Sequence, residues 1–467
     1  MSDHSEQDDK ARSRQGKPRF QIEDTRARQT RTCIIVPILS ARSKPGTTRA
    51  SGQAATLERS ADARVQEAVG LAAAINLDVV FQRVVQLQNL RPATLLGRGK
   101  VDEIAEHVRA DSIELVFVDH ELTPIQQRNL ERALHAKVLD RTGLILEIFG
   151  RRAQTREGTL QVELAHLSYQ KSRLVRSWTH LERQRGGKGF LGGPGETQIE
   201  ADRRVIQTKI TRLQKQIEDV RRMRTLHRAR RQSVPAPTVA LVGYTNAGKS
   251  TLFNRLAGSD VMAEDLLFAT LDPTLRRVTL PRGTEIVLSD TVGFISDLPT
   301  SLIAAFRATL EEVQEADLIV HVRDMTDPDN EVQKADVLSV LKQLEIGPDD
   351  AGVAPPMIEA WNKIDTIGKD ERDTLFRTAE RLGDTIIPVS AITGEGVSLL
   401  EDVMEAAITA SRNEAEFHLK PSDGEGRAWL FRHATILKEE LLEDGSCRMR
   451  VALTARDLAH ARERFQR

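Results

Sequence analysis

Residues Gly243 to Ser250 carry the spacing Gly-x-x-x-x-Gly-Lys-Ser. Glycine at both positions lets the backbone turn tightly, so that several amide N–H groups converge on one phosphate. A helix that begins near Lys249 would direct its positive end to the same place, and the lysine ammonium would reach the β- and γ-phosphate oxygens. The Ser250 hydroxyl is suited to ligate Mg²⁺. The spacing therefore predicts a P-loop, although taken alone it also fits a solvated strand-to-helix turn.

Two further segments could contact the γ-phosphate and the metal. Asp290-Thr-Val-Gly293 follows a predicted strand; its carboxylate can hold the Mg²⁺ shell, and the glycine N–H can bind the γ-phosphate. Upstream lies Phe268-Ala-Thr-Leu-Asp-Pro-Thr274, in which Thr270 is our candidate for a second hydroxyl ligand and Thr274 is its rival. Segments anchored by such contacts are ordered with triphosphate and released after hydrolysis, which predicts two switches.

Asn362-Lys-Ile-Asp365, after another predicted strand, indicates which base is bound. The Asp365 carboxylate can accept hydrogen bonds from N1–H and the 2-amino group of guanine, and adenine offers neither. Lys363 would pack its stem over the purine, and Ser390-Ala391 can present a backbone N–H to guanine O6. An isolated Asn-Lys-x-Asp is a weak signal. Found in this order at strand ends, however, these motifs together predict a domain that binds and hydrolyses GTP.

The motifs define the predicted site and its cofactor, Mg²⁺. Catalytic roles fall to Lys249, Gly293 and Thr270, and metal ligation to Ser250 and Thr270. We predict GTP contacts for Gly243, Tyr244, Thr245, Asn246, Ala247, Gly248, Lys249, Ser250, Phe268, Ala269, Thr270, Leu271, Asp272, Asp290, Thr291, Val292, Gly293, Asn362, Lys363, Ile364, Asp365, Ser390 and Ala391.

The elements that position these residues predict an α/β fold. The chain has 467 residues and 40% hydrophobic composition, enough for about two to four domains with buried cores. We divide it into a disordered tail (1–31), an N-terminal α/β domain with a glycine-rich loop (32–198), a basic helical hairpin arm (199–234), a doubly wound P-loop G domain (237–410) and a small α+β C-terminal appendage (411–467). In the appendage, alternating segments lie at Ala428–Phe431 and Arg448–Leu453, around the turn Asp444-Gly445.

Strands alternating with helices predict a parallel sheet in the N-terminal domain. Its strands are predicted at 33–38, 77–87 and 115–118, and its helices at 62–75, 101–110 and 123–134. A largely helical region should then run from Asp140 to about Arg183, followed by a mobile loop from Gly186 to Gly195. The strands of the G domain are predicted at 239–242, 276–280, 285–288, 318–322, 357–361 and 386–389.

The segment Glu200–Arg231 is predicted to be helical. Ile206, Ile210, Leu213, Ile217, Val220 and Met223 recur at helical spacing, which indicates an antiparallel hairpin or a short coiled coil. The other face carries Arg203, Arg204, Lys209, Arg212, Lys215, Arg221, Arg222, Arg224, Arg228, Arg230 and Arg231 against Glu200, Asp202, Glu218 and Asp219. A charge run is usually only a solvated helix face, but the single sign and the adjacent glycine loop favour contact with a polyanion.

Composition excludes several classes of protein. No run of about 18 uncharged apolar residues could span a membrane, and residues 1–19 lack the apolar core of a signal peptide. Cys33 and Cys447 are too few and too far apart for a disulfide framework or a structural zinc site. We expect a cytoplasmic monomer.

Several motifs outside the G domain give the chain its resemblance to a known family. They are Leu96-Gly-Arg-Gly-Lys-Val-Asp-Glu103, Glu121-Leu-Thr-Pro-Ile-Gln-Gln-Arg-Asn-Leu130, Asp140-Arg-Thr-Gly-Leu-Ile-Leu146, Thr159-Leu-Gln-Val-Glu-Leu164 and Gly193-Pro-Gly-Glu-Thr-Gln-Ile-Glu200. From about residue 32 to 410 the chain resembles the HflX GTPases, of the translation-factor-related class. The resemblance implies binding to rRNA of the large ribosomal subunit, near the peptidyl transferase centre, and dissociation of stalled ribosomes. It also implies that the glycine loop and the basic helices contact the ribosome.

Phe294 follows Asp-Thr-Val-Gly, where many GTPases place a glutamine that orients the attacking water. Phenylalanine has no donor or acceptor, so intrinsic hydrolysis should be slow and a partner should complete the site. Alternatively, Phe294 merely packs on the switch helix.

Two other functions stay open at this stage. One is a ribosome-assembly factor or RNA chaperone for which splitting is secondary. The other is ATP-driven RNA remodelling by the N-terminal domain, for which Gly97-Arg-Gly-Lys100 is the one hint; it lacks P-loop spacing and also fits a plain turn.

Overall fold

The structure is a computed structural model that describes residues 29–39, 59–182, 194–231, 236–258, 267–271, 273–296, 312–344, 346, 355–410, 412–442, 445–454, 458, 461–462 and 464–465. Within these ranges the strands form sheets of four, six and three strands. The predicted tail, apart from its last residues, and residues 186–193 of the predicted glycine loop lie outside them. None of the helices in the described ranges is both long enough and apolar enough to cross a bilayer.

The four-stranded sheet belongs to the N-terminal domain. Its elements are β1 (Arg31–Leu39), α1 (Ala61–Ala73), β2 (Asp78–Leu87), α2 (Arg98–Ala110), β3 (Leu115–Val118), α3 (Pro124–Leu134) and β4 (Lys137–Asp140). The strand order is β2-β1-β3-β4 and every pairing is parallel, which confirms the predicted sheet. Strand β4 was not predicted, because charged residues at both of its ends leave only two apolar residues, Val138 and Leu139, whereas all four residues of β3 are apolar.

Three helices follow: α4 (Arg141–Arg152), α5 (Arg156–Glu182) and α6 (Pro194–Arg231), of which α5 and α6 pack together. Ile210, Leu213 and Ile217 are buried as predicted, but Met223 is 59% exposed and lies outside the packed face. The loop prediction was wrong for Pro194 and Gly195, which belong to the first turn of α6. Proline is favoured there because its missing N–H would have no helical partner.

The six-stranded sheet is the core of the G domain. Its elements are β5 (Thr238–Gly243), α7 (Lys249–Leu256), β6 (Thr274–Thr279), β7 (Glu285–Asp290), β8 (Leu318–Asp324), α8 (Asn330–Gln343), β9 (Met357–Asn362), α9 (Lys369–Leu382), β10 (Ile386–Pro388) and α10 (Val397–Ala410). The order is β10-β9-β8-β5-β7-β6, with β6 antiparallel to β7 and the other pairs parallel. All predicted strands are present. The α/β class is therefore confirmed, and the motifs lie where strands end.

The appendage contains β11 (Arg412–Leu419), α11 (Gly424–His433), β12 (Thr435–Leu441) and β13 (Cys447–Thr454), in an antiparallel sheet of order β11-β13-β12. The α+β prediction is confirmed. However, Ala428–Phe431 lies in a helix, which Asp423 caps by accepting a hydrogen bond from Gly426 N at 2.8 Å. A four-residue run fits both helical and strand periods, so the alternation was misleading.

One hydrophobic cluster joins the N-terminal domain to the G domain. Ile34 and Leu71 belong to it together with Val242 and Phe294, all with at most 2% of their surface exposed. At the same boundary, the rings of Phe149 (α4) and Phe268 meet edge to face, with centroids 4.8 Å apart. The predicted switch segments therefore pack directly against the N-terminal domain.

Candidate nucleotide-binding site

The P-loop is a strand-to-helix turn between β5 and α7. Gly248 has a φ of +89°, and a Cβ there would lie 2.2 Å from Asn362 Nδ2. Gly243 is equally constrained, because a Cβ would lie 2.2 Å from the Val322 carbonyl oxygen. Both glycines of the motif are therefore required by close contacts and not only by the turn.

Lys249 and Gly293, two of the predicted catalytic residues, lie against each other. The Lys249 ammonium donates hydrogen bonds to the carbonyl oxygens of Gly243 at 3.1 Å and Tyr244 at 2.7 Å. Burial lowers the pKa of Lys249 to about 8, although the Asp290 carboxylate opposes this change. A Cβ on Gly293 would lie 3.1 Å from Lys249 Nζ and 2.8 Å from Thr245 Cγ2. The backbone at Gly293 thus approaches the phosphate-binding groups closely.

Ser250, Thr270 and Asp290 bring three oxygen groups together. Both hydroxyls donate to Asp290 Oδ2, at 2.7 Å from Ser250 and 2.8 Å from Thr270, and the two hydroxyl oxygens are 2.8 Å apart. Burial raises the pKa of Asp290, and these hydrogen bonds oppose the rise. The rival, Thr274, is exposed at the start of β6. Thr274 is the cross-strand neighbour of Asp290, but the hydrogen bond to the carboxylate comes from Thr270.

The donor set of this trio fits Mg²⁺. Asp290 Oδ1 is buried without a hydrogen-bond partner among the described atoms, which leaves one carboxylate oxygen for a cation. Mg²⁺ prefers hard oxygen ligands and is commonly held by one or two protein groups together with phosphates and water. Within the described residues, no group of three or more His, Cys, Asp or Glu side chains is arranged to hold a metal ion.

The motif that should recognise the base is fixed by hydrogen bonds at the ends of β9 and β10. Asp365 Oδ1 accepts from Ser390 Oγ at 2.6 Å, and Lys363 has a left-handed φ of +68° with its ammonium 2.7 Å from Asp324 Oδ2. Ala391 N donates to Asn362 Oδ1 at 3.0 Å. We predicted a backbone N–H of Ser390-Ala391 for guanine O6. The Ala391 amide is bonded to Asn362 and the Ser390 amide to Glu395 O at 2.9 Å, so guanine would have to compete for either one.

The other predicted contacts divide into two groups. The cleft beside the P-loop is lined by Thr245, Asn246, Gly248, Lys249, Ser250, Thr251, Phe268, Ala269, Thr270, Thr291 and Gly293. Tyr244, Leu271, Val292 and Ile364 instead bury their side chains, so that only their backbones could reach a nucleotide. Asp272 lies outside the described residues. Thr251 was missed, although its place after the Ser of the P-loop could have indicated it.

Phe294 is buried against the P-loop, with 2% of its surface exposed. Its N–H donates to Gly243 O at 3.1 Å, and its carbonyl accepts from Thr245 N at 2.7 Å, which makes a parallel bridge with Tyr244. Its side chain packs in the cluster between the domains and cannot orient water. This contact with the P-loop was not foreseen, since the alternative placed Phe294 on the switch helix.

Comparison with known proteins accounts for most of the chain. Protein-family models match residues 62–150 (GTP-binding GTPase N-terminal), 152–231 (GTP-binding GTPase Middle Region), 238–363 (50S ribosome-binding GTPase) and 375–465 (HflX C-terminal domain). The GTPase HflX of Magnetococcus marinus is 52% identical over 380 residues, 81% of this chain and 86% of the relative. The chain belongs to the HflX GTPase family. It is a GTPase, which converts GTP to GDP and phosphate.

A second HflX sequence gives the same family assignment. The GTPase HflX of Escherichia coli is 45% identical over 362 residues, 78% of this chain and 83% of the relative. A GTP-binding protein from Sulfolobus solfataricus, solved in complex with GDP, aligns with 82% of this chain and 99% of its own at 21% identity and a TM-score of 0.42. The HflX C-terminal match reaches residue 465, so the family resemblance extends beyond residue 410, where the sequence motifs had ended.

Proposed function

We propose that this HflX-family GTPase is a cytoplasmic, monomeric, Mg²⁺-dependent switch that binds rRNA of the large ribosomal subunit and dissociates or remodels ribosomes. Hydrolysis of GTP releases the complex. The observation that carries the proposal is the exposed basic surface of α6. It agrees with the description of the family model over residues 238–363, a 50S ribosome-binding GTPase.

The basic surface consists of Arg203, Arg204, Lys209, Arg212, Lys215 and Arg222, whose side chains are all exposed. Ile210, Leu213 and Ile217 are buried, so the charged residues face outward from the α5–α6 pair. At about 1.5 Å per residue, a helix of 38 residues extends roughly 57 Å and could follow several phosphates of an RNA.

Few acidic groups compete for these cations. Arg204 approaches Glu200 at 4.0 Å and Arg222 approaches Glu218 at 3.5 Å, in both cases between exposed side chains one helical turn apart. Such pairs contribute only about 0.3–0.5 kcal/mol, so RNA phosphates can displace them. Neutralising phosphates also releases counterions, which makes the binding free energy strongly dependent on salt.

Ser250, Thr270 and Asp290 would hold the Mg²⁺ ion in this proposal. When bound, Mg²⁺ neutralises charge on the β- and γ-phosphate oxygens. Lys249 binds the same oxygens from the P-loop, and the Gly293 N–H orients the γ-phosphate. The backbone at Gly293 lies against Thr245 and Lys249, so loss of the γ-phosphate would free this segment to shift.

The ATP-driven alternative receives no support from the described part of the chain. Gly97 precedes the first turn of α2 as its N-cap, and Lys100 Nζ is paired with Glu103 Oε2 at 3.0 Å. The segment Gly97–Lys100 is thus an ordinary helix start and not a phosphate-binding loop of P-loop length.

The test is co-sedimentation with purified large subunits across a salt series. Replacing Arg203, Lys209 and Arg212 with Ser should weaken binding, and each lost phosphate contact should flatten the slope of log affinity against log salt by roughly 0.7–0.9. GTP affinity of the free protein should not change. As a matched control, replacing Lys369, Arg377 and Arg381, which are exposed on α9, removes the same charge and should leave sedimentation unchanged.

If the triple variant of α6 sediments like the wild type, the basic surface is only a solvated helix face and the proposal fails. The same assay separates the ribosome-assembly alternative, which requires tighter binding to assembly intermediates than to mature subunits.

A further inference from the structure

The hydroxyl of Tyr244 lies at the contact between the P-loop and the N-terminal domain. Tyr244 is 4% exposed, and its hydroxyl donates to Glu67 Oε2 at 2.5 Å. The same oxygen accepts hydrogen bonds from Arg59 Nη1 and from the Ser296 N–H, each at 2.9 Å. The Ser296 hydroxyl oxygen also lies 2.8 Å from it, so the donor and both acceptor positions of the Tyr244 hydroxyl are fully used. One atom joins α1, the P-loop and the segment that follows Gly293.

Ser296 is held by a second set of contacts. Its hydroxyl donates to Asp336 Oδ2 of α8 at 2.5 Å, and its carbonyl accepts from Arg141 Nη2 of α4 at 2.9 Å. Two residues earlier, both backbone groups of Phe294 are bonded to the P-loop. The chain that leaves Gly293 is thus fixed at Phe294 and at Ser296.

Two of these partners, Glu67 of Tyr244 and Arg141 of Ser296, are charged and buried. Burial would raise the pKa of Glu67, but Arg141 and Arg59 hold it below its usual value, so the side chain stays a carboxylate acceptor. Burial would likewise lower the pKa of Arg141, but Asp119 and Glu67 raise it. Removing a charged member of such a network is strongly destabilising, whereas removing the tyrosine hydroxyl leaves the charges paired.

We infer that Tyr244 is a positioning residue for GTP hydrolysis, which acts through Ser296 on the position of Gly293 and ties that position to the N-terminal domain through Glu67. The backbone at Gly293 lies against Thr245 and Lys249, since a Cβ added there would be 2.8 Å from Thr245 Cγ2 and 3.1 Å from Lys249 Nζ. A shift of this backbone would therefore alter how its N–H meets the γ-phosphate. GDP has no γ-phosphate, so its binding does not depend on this position. The inference rests on the GTPase activity and not on ribosome binding, so either can fail alone.

The test compares the two tyrosines of the chain, Tyr244 and Tyr169. Tyr169 also donates to a buried carboxylate, Asp140 Oδ1 at 2.6 Å, but lies on α5, so Tyr169→Phe is a matched control. In the full-length protein, Tyr244→Phe should lower single-turnover GTP hydrolysis about tenfold, the size expected if the one hydrogen bond that positions this segment, from the Ser296 N–H, is lost. Affinity for a non-hydrolysable GTP analogue should fall several-fold, while GDP affinity should stay within about twofold of wild type. Tyr169→Phe should leave all three unchanged.

Ser296→Ala supplies a second variant, because it removes only the hydroxyl and keeps the backbone contacts. It should also lower GTP hydrolysis with unchanged GDP affinity, by a smaller factor than Tyr244→Phe. The inference is overturned if GTP hydrolysis is unchanged in these variants, or if Tyr244→Phe weakens GDP and the GTP analogue equally. Equal weakening would give Tyr244 a role in packing alone.

Discussion

Asn362 Nδ2 donates a hydrogen bond to the carbonyl oxygen of Ala247 at 2.9 Å, and this bond ties the end of β9 to the phosphate-binding loop. The other end of the same amide accepts from Ala391 N at 3.0 Å. One side chain therefore sets the distance between the loop that binds phosphate and the loops that recognise the base. Asn362, the first residue of Asn-Lys-x-Asp, thus holds the phosphate-binding loop and the base-recognising loops together.

This contact explains why Gly248 should not tolerate a side chain. In Gly248→Ala the new Cβ would lie 2.2 Å from Asn362 Nδ2, at a φ of +89° that alanine rarely adopts. Strain of about 1–3 kcal/mol should weaken affinity for fluorescent GDP roughly 10–100-fold. Gly258→Ala isolates the clash, because φ is also positive there (+59°) but nothing lies within 4 Å of the new Cβ. Equal affinities in the two variants would contradict this role of Asn362.

Base recognition should change in Asp365→Asn. An amide can donate where the carboxylate could only accept, so preference should move from guanine towards xanthine. The amide oxygen can still accept from Ser390 Oγ, so the loop should keep its shape. Competition between labelled GTP and XTP measures the change, and Asp324→Asn, which alters the partner of Lys363, should retain guanine preference. Unchanged preference in Asp365→Asn would place the base-recognising carboxylate elsewhere.

The metal site is tested by comparing two threonines. Thr270 donates to Asp290 Oδ2 at 2.8 Å, whereas Thr274 is exposed at the edge of the sheet. Thr270→Ala should therefore raise the Mg²⁺ concentration that gives half-maximal GTP hydrolysis, by about tenfold if one ligand is lost. Thr274→Ala should leave it unchanged. The reverse result would make Thr274 the switch ligand.

Local sequence patterns predicted the strands of the G domain and the position of its motifs at the ends of those strands. Val239 to Val242 form a short apolar run with β-branched residues, preceded by Pro237 and followed by Gly243, and these flanking residues favour a buried parallel strand over a helix. The start of α6 at Pro194 was missed because glycine-rich composition favours a loop. However, proline and glycine destabilise the interior of a helix more than its first turn, so both residues are tolerated where α6 begins.

The contacts between domains could not be predicted in the same way. Tyr244 and Glu67 are separated by 177 residues, and neither residue type signals the other. The burial of Phe294 is a similar case, since it depends on the N-terminal domain covering the P-loop. The expectation of slow intrinsic hydrolysis rests on residue type alone, because phenylalanine cannot hydrogen-bond water, and it stays a prediction.

Phosphate release from GTP, measured with and without purified large ribosomal subunits, tests the central claim most directly. Phe294 is buried and cannot itself orient water, so we expect intrinsic turnover on the order of 10⁻³ s⁻¹ or less. Large subunits should raise turnover at least about tenfold, and small subunits should not. If large subunits leave turnover unchanged, GTP hydrolysis is not coupled to ribosome binding and the proposed switch is wrong.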